Sequence, residues 1–143
     1  MQAGTILIVD DNKSVLTSLE LLLEDEFEEV ETASSPNSIL SLLDSRPVDL
    51  VLLDMNFSAG VNSGNEGLFW LRRIREIMPE LPVIMLTAYG DVELAVKALK
   101  SGAADFVLKP WDNDNLIEKI CAAMRERKSR QAARPVSRSS EPA

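Results

Sequence analysis

The chain has 143 residues, of which 45% are hydrophobic and 27% charged, and these proportions predict one soluble globular domain with its own core. No apolar run approaches the roughly 18 to 20 residues of a membrane-spanning helix, and the N-terminal segment MQAGTILIVDD lacks the basic start of a secretory signal. With no histidine and a single cysteine, Cys121, the sequence argues against an internal disulfide and a zinc site. Carboxylates remain as candidate ligands for a hard metal ion, and a cytoplasmic protein is expected.

The net charge of -8 is unevenly distributed. Residues 125–143 carry six Lys or Arg against Glu126 and Glu141, so this segment is at +4 and residues 1–124 are at -12. An acidic globule of this kind is not expected to bind nucleic acid by itself. The Ser, Pro and Arg content of the last segment predicts a solvated linker or tail.

The first half of the chain alternates strand and helix patterns. Residues 5–9 form a β-branched run that predicts a buried strand. Apolar residues at helical spacing follow over 15–23, with glutamates continuing the pattern to 29. Residues 30–33 predict a weak strand at the sheet edge. Ser35-Pro36 predicts a helix start, because a capping hydroxyl precedes a proline, and Pro47 ends that helix.

The second half repeats the alternation after a polar loop at residues 55–65. Strands are predicted at 48–53, 82–86 and 104–108, and helices at 68–77, 92–99 and 116–124, the last able to continue into the basic tail. Five strands alternating with five helices predict an α/β fold with a doubly wound parallel sheet. Ligands of such sheets bind outside the carboxyl ends of the strands, where this sequence places Asp10, Asp11, Asp54, Thr87 and Lys109.

Three carboxylates at one edge of a sheet need a compensating charge. Two of them about 4 Å apart repel by roughly 4 kcal/mol at an effective dielectric near 20. A divalent cation such as Mg²⁺, which prefers carboxylate and water oxygens, offsets that repulsion. The alternative is that Asp10 and Asp11 only cap the first helix.

Asp54 ends a strand of aliphatic residues, where a carboxylate has no packing role. As a nucleophile it would attack a phosphoryl donor, and the metal, the Lys109 ammonium and the Thr87 hydroxyl would neutralise charge. The structural alternatives are an ion pair for Lys109 and a turn residue for Thr87. Pro110 directly after Lys109 makes that peptide bond a candidate cis bond.

Four segments, ILIVDDN, VDLVLLDMN, PVIMLTAYGD and GAADFVLKP, together resemble the receiver domain of two-component response regulators over roughly residues 5–124. The resemblance implies a flavodoxin-like five-stranded parallel sheet of order 2-1-3-4-5 with five helices. It also implies a receiver domain at residues 1–124, followed by a basic linker or tail at 125–143 that is flexible beyond the last helix.

The same resemblance implies a role for each matching residue. Asp54 would accept a phosphoryl group from a histidine kinase, and Mg²⁺, with Mn²⁺ as a substitute, would bind Asp10, Asp11, Asp54 and the backbone carbonyl of Asn56. Thr87 and Lys109 would bind the phosphoryl group, and Phe106 would be the aromatic switch residue. Asn56 and Tyr89 would tune the lifetime of the phosphorylated state.

The loop MNFSAGVNSGNEG departs from the usual receiver pattern, since it is longer and lacks a Met-Pro pair. This extended pattern resembles nitrogen-regulation-type regulators, which activate transcription through sigma-54 polymerase by a domain that these 143 residues do not include. The implied partners are a histidine kinase and a second copy of the chain, through the fourth helix, fifth strand and last helix or through the tail, with neither nucleic acid nor membrane bound directly.

Two other functions share this architecture. One is a Mg²⁺-dependent phosphatase with an Asp nucleophile, but such enzymes usually carry a second Asp two residues later, where this chain has Asn56. The other is a nucleotide- or flavin-binding module, but the segment DDNKSV after the first strand is acidic and glycine-free and would repel phosphates. The receiver interpretation therefore predicts a switch that catalyses only its own phosphorylation and dephosphorylation.

Overall fold

A computed structural model describes residues 2–55, 65–88 and 92–133. Within them the strands form one five-stranded parallel sheet in the order β2-β1-β3-β4-β5. The strands are β1 (Gln2–Val9), β2 (Phe27–Ala33), β3 (Leu50–Asp54), β4 (Val83–Ala88) and β5 (Asp105–Lys109). This topology confirms the predicted doubly wound α/β fold and its strand order.

Five helices within these described ranges cover the two faces of the sheet. They are α1 (Lys13–Leu23), α2 (Ile39–Ser45), α3 (Asn65–Ile77), α4 (Val92–Lys100) and α5 (Asn113–Ala133), with a single 3-10 turn at Pro36–Ser38 before α2. The predicted helix start at Ser35-Pro36 corresponds to the 3-10 turn, where the Ser35 hydroxyl accepts a hydrogen bond from the Asn37 backbone amide at 3.2 Å, and α2 itself begins three residues later at Ile39. None of the helices in the described ranges is long and apolar enough to span a membrane.

Alternate residues of each central strand supply two separate cores, as expected for a sheet buried on both faces. Leu7, Val51 and Met85 pack with α2, α3 and α4 on one face. Ile8 and Leu52 pack with α1 and α5 on the other. The sheet is therefore packed on both faces, and side chains that follow the strands extend from its carboxyl ends.

The boundary between α1 and β2 differs from the prediction. The glutamates after residue 23 do not continue the helix: α1 ends at Leu23 and β2 already begins at Phe27. Phe27 is 1% exposed and packs in the core formed with α1 and α5, whereas Glu28 and Glu29 face solvent. Burial of one aromatic ring outweighs the helix propensity of the neighbouring glutamates.

One helix keeps an apolar stripe in contact with solvent. Val92, Val96 and Leu99 of α4 are exposed, while Ala95 and Ala98 of the same helix are buried. Because the three exposed residues recur at helical spacing, they form one continuous strip along α4. Small buried residues let α4 lie close to the sheet and leave the larger side chains outside.

Candidate functional site

The polar residues that follow the strands lie at one rim of the sheet. Asp10 follows β1, Asp54 ends β3, and Lys109 ends β5. Thr87 pairs with Leu108, and Ala88 pairs with Lys109, which sets the ends of β4 and β5 side by side. The structure thus brings these residues to the carboxyl edge of the parallel sheet, where such folds bind ligands.

Three carboxylates converge at this rim. Asp10, Asp11 and Asp54 each offer an oxygen, and these oxygens lie within 4.8 Å of one another. Asp10 is 0% exposed and Asp54 is 4% exposed, whereas Asp11 is open to solvent. Two of the three charges are therefore removed from water, so their repulsion is stronger than it would be on the surface.

The first helix has its own cap, so these acids are not needed for that purpose. Asn12 Oδ1 accepts hydrogen bonds from the backbone amides of Ser14 at 2.9 Å and Val15 at 3.2 Å. Asp10 instead accepts from the Asn12 amide at 2.9 Å. Capping of α1 by Asp10 and Asp11, the structural alternative, is therefore not what the structure shows.

Lys109 bridges the two buried acids. Its Nζ donates to Asp10 Oδ2 and to Asp54 Oδ1, each at 2.9 Å. Burial alone would lower the pKa of Lys109, but the Asp54 and Asp10 carboxylates together outweigh it and raise the pKa above its usual range. The lysine is therefore a fixed cation at neutral pH, and the Lys109–Pro110 peptide bond that follows it is cis.

Among the described residues, three carboxylates converge at the rim and the Lys109 ammonium pairs with two of them, so negative charge is in excess there. Desolvation first, and the Asp10 carboxylate second, raise the pKa of Asp11, and Glu66 adds to this effect. Oxygen donors with an excess of negative charge are what Mg²⁺ and similar hard cations require, so the donor set fits such an ion. The Asn56 carbonyl, the other expected metal ligand, lies outside the described residues.

Thr87 presents a buried hydroxyl at the same rim. The residue is 1% exposed, and its Oγ1 has no hydrogen-bond partner within the part of the chain that the structure describes. A buried hydroxyl without a partner costs about 1–3 kcal/mol. A ligand oxygen at this rim would recover that free energy. Tyr89, expected two positions later, lies outside the described residues.

Phe106 lies on β5 and is half-buried against the core formed with α2, α3 and α4. Lys119 of α5 approaches it, with Nζ 5.3 Å from the centroid of the ring. The expected switch residue is therefore set back along β5 from Lys109 and is not among the groups that converge on Asp54.

Gly67 belongs to the site although its sequence context gave it no role. Its amide donates to the Met55 carbonyl at 3.1 Å. A Cβ at this position would lie 2.6 Å from Met55 Cα and 2.9 Å from the Asp54 carbonyl oxygen. The first turn of α3 therefore sits directly against the end of β3, which only glycine allows without displacing Asp54. Glu66 beside it is the second missed residue, since it acts on Asp11.

Known proteins resemble this chain in sequence and in fold. The family described as the response regulator receiver domain matches residues 6–121. The transcriptional regulatory protein ZraR of Escherichia coli O157:H7 is 40% identical over 120 residues, which is 82% of this chain and 26% of ZraR. The response regulator protein PilR of Pseudomonas aeruginosa is 36% identical over 136 residues, covering 95% of this chain and 29% of PilR.

Solved structures of response regulators also resemble this chain, in agreement with the family match and with the curated relatives. The N-terminal signal receiver domain of a response regulator from Bacteroides fragilis is 49% identical, with a TM-score of 0.78 over 87% of this chain and 98% of that one. NtrX from Brucella abortus is 33% identical, with a TM-score of 0.85 over 99% of this chain and 31% of NtrX.

The chain spans about a quarter of the length of the curated relatives it matches. The family match over residues 6–121 includes β2 to β5 and α1 to α4 in full, together with the second half of β1 and the first part of α5. The predicted resemblance is confirmed: this chain belongs to the family of response regulator receiver domains.

Proposed function

We propose that the domain is a phosphorylation-dependent signalling switch, in which Asp54 accepts a phosphoryl group from the phosphohistidine of a histidine kinase. The observation that supports this most strongly is the bridge of Lys109 to Asp10 and Asp54, at 2.9 Å to each. Asp54 is a buried carboxylate held beside a fixed cation, and two further acids lie nearby with the Thr87 hydroxyl, which has no partner among the described residues. This arrangement is suited to transfer of an anionic group.

The proposed reaction is a single displacement at phosphorus. An Asp54 carboxylate oxygen forms the new P–O bond, the P–N bond to the donor imidazole breaks, and the leaving nitrogen takes up a proton. Lys109 would stay close to the charge that builds up on the phosphoryl oxygens. The Thr87 hydroxyl would donate a hydrogen bond to one of those oxygens.

A divalent metal is part of this proposal. Asp10, Asp11 and Asp54 would hold Mg²⁺, or Mn²⁺ in its place, with the Asn56 carbonyl as a further ligand. When bound, the ion would neutralise negative charge on the carboxylates and on the phosphoryl group. The support is the donor set itself, three carboxylate oxygens within 4.8 Å of one another.

We further propose that the switch controls transcription through a sigma-54 polymerase, by a domain outside these residues. The support is that similar proteins carry the names of transcriptional regulators, such as the DNA-binding transcriptional regulator NtrC of Salmonella typhimurium, which is 32% identical over 136 residues. In this proposal residues 1–124 form the receiver and residues 125–143 the linker, and Asn56 and Tyr89 set the lifetime of the phosphorylated state.

The output would pass through the face of α4, β5 and α5. Phe106 on β5 would change position when Thr87 engages the phosphoryl group. The apolar strip of Val92, Val96 and Leu99 on α4 supports this face as the surface for a second copy of the chain, because exposed apolar strips mark contact surfaces.

Phosphorylation by a small donor tests the proposal. Incubation with acetyl phosphate and Mg²⁺ should add one phosphoryl group by intact mass, and Asp54→Asn should remove that addition. Asp49→Asn is the matched control, because Asp49 lies just before the opposite end of β3. Equal labelling of the Asp54 variant would refute the assignment. Steady release of phosphate from a small phosphoester, without a stable adduct, would identify the phosphatase instead.

A further inference from the structure

Lys119 makes three contacts with two adjacent residues of β5. Its Nζ donates to the Phe106 backbone carbonyl at 2.9 Å and to Asp105 Oδ1 at 3.3 Å, and it lies 5.3 Å from the centroid of the Phe106 ring. A cation at that distance from an aromatic ring is attracted by its negative face. One side chain of α5 therefore fixes both the backbone and the ring of Phe106.

The ring that Lys119 holds is close to Thr87 in the sheet. Phe106 pairs with Met85, and Leu108 pairs with Thr87, so the two pairs are neighbours along β4 and β5. Since residues two apart on a strand face the same side, Phe106 and Thr87 share one face of the sheet. A movement of Thr87 toward Asp54 would change the space that is open to the Phe106 ring.

The ring also has space on its outer side. A groove of about 520 Å³ is lined by Phe106, Pro110, Trp111, Asn115 and Lys119, among others. On its inner side the ring packs against the core with α2, α3 and α4. The ring thus lies between a packed core and an open groove, and the Lys119 contacts favour its present position over alternatives.

We propose that Lys119 is a positioning residue that holds Phe106 and thereby opposes the binding of a phosphoryl group at Asp54. This inference rests on the proposed function, because it assumes that an anion bound at Asp54 draws in the Thr87 hydroxyl. Lys119 acts through Phe106 and not on the bound anion. Loss of its charge frees the ring, so that less free energy is needed to draw Thr87 to the anion.

Beryllofluoride, which adds to a carboxylate as a mimic of a phosphoryl group, is the probe that tests this. Titration in the presence of Mg²⁺, followed by calorimetry, gives its dissociation constant for each variant. Lys119→Met should bind about three- to tenfold more tightly than the wild type, the range expected from losing one cation–π contact and one hydrogen bond. Fluorescence of Trp111, which lines the same groove, should change over the same concentration range.

Two variants control the experiment. Lys128→Met makes the same change of charge on α5 at an exposed position, and it should leave the dissociation constant unchanged. Lys119→Arg keeps a cation that can lie over the ring, and it should bind within about twofold of the wild type. An effect on stability alone would change the melting temperature of Lys119→Met and leave its dissociation constant as in the wild type.

The outcomes separate this inference from the proposed function. If Lys119→Met and Lys128→Met bind beryllofluoride equally, or if Lys119→Arg behaves as Lys119→Met does, the role of Lys119 is wrong and the phosphorylation site stands. If the wild type fails to bind the probe, or if Asp54→Asn binds it equally well, the proposed function itself is wrong.

Discussion

Two regions of this domain are rich in acids, and they differ in almost every other respect. Residues 24–31 read EDEFEEVE and place six carboxylates in the turn after α1 and on the edge strand β2. In the part of the chain that the structure describes, three acids, Asp10, Asp11 and Asp54, converge at the rim of the sheet, and two of these are buried. The acids of residues 24–31, called the edge below, lie along a surface in contact with solvent. The acids of the rim lie close together, and Asp10 and Asp54 are shielded from water.

The partners of the acids differ in the same way. At the edge, Glu31 pairs with Arg46 at 2.8 Å, and the Arg46 side chain is 50% exposed. At the rim, Lys109 is 26% exposed and pairs with two carboxylates that are almost fully buried. An exposed pair typically contributes less than about 1 kcal/mol, while loss of one member of a buried pair costs several. The number of acidic residues in a region is therefore a weak indicator of a functional site, whereas the burial of those residues is a strong one.

The largest expected effect follows from removing the rim lysine. Lys109→Met should lower the free energy of unfolding by about 3 kcal/mol, because Asp10 and Asp54 remain buried without their cation. Arg46→Met is the matched change at the edge and should cost less than about 1 kcal/mol. Chemical denaturation of both variants at neutral pH measures the difference, and equal losses would contradict the comparison.

The contacts of Lys109 with Asp10 and Asp54 also make the stability of the folded domain depend on pH in the alkaline range. The folded-state pKa of Lys109 is raised above its unfolded value of 10.5, so its stabilising effect is complete below that pH. The effect is lost as the pH rises through the raised pKa. The difference in stability between wild type and Lys109→Met should therefore shrink only above pH 10.5.

A metal ion should distinguish the two regions with a smaller effect. At ten times its dissociation constant, Mg²⁺ should stabilise the folded domain by about 1.4 kcal/mol if it binds only the folded chain. Asp54→Asn should remove most of this gain. Glu29→Gln, which removes one charge from the edge, should leave it intact. Melting temperatures of each variant with and without Mg²⁺ measure this stabilisation. If Mg²⁺ stabilised Asp54→Asn as much as the wild type, a metal site at the rim would be contradicted.

The smallest effect concerns Asp11, the exposed acid of the rim. Its folded-state pKa lies above its ordinary value of 3.8, so the charged carboxylate destabilises the folded domain at higher pH. Without metal, Asp11→Asn should therefore add up to about 1 kcal/mol at neutral pH, the size of a charge pair in water. The gain should disappear as the pH falls through the raised pKa toward 3.8. Denaturation midpoints at several pH values would show a constant difference if this explanation is wrong.

Sequence patterns predicted the residues of the rim well. A polar residue that directly follows an aliphatic strand must lie at the carboxyl end of that strand, and in a parallel sheet these ends lie together. Asp54 after Leu53 and Lys109 after Leu108 follow directly from this pattern. The doubly wound α/β fold followed from the alternation of strand and helix patterns, whereas the order of the strands followed from the resemblance of the motifs to a known family. The roles of the rim residues stay predictions until the phosphorylation and metal experiments are made.

The features that were missed depend on contacts between distant segments. The start of β2 at Phe27 was not predicted, because the neighbouring glutamates favour a helix. Only the burial of Phe27 against α1 and α5 favours a strand there. Gly67 appeared to be part of a loop, and its close approach to Met55 exists only once α3 packs on the end of β3. The contact between Lys119 and Phe106 likewise joins α5 to β5. No local pattern in the sequence encodes these contacts.

Because α5 is long, a small tilt of this helix would move its C-terminal end by a larger distance. The helix begins at Asn113 and continues to Ala133, so its last residue lies about 21 Å along the axis from Lys119 at 1.5 Å per residue. A tilt of only about 5° at Lys119 would displace the far end by about 2 Å, since a straight helix moves as a rod. A rearrangement of one aromatic ring beside α5 would thus be amplified into a displacement large enough to repack whatever follows Ala133.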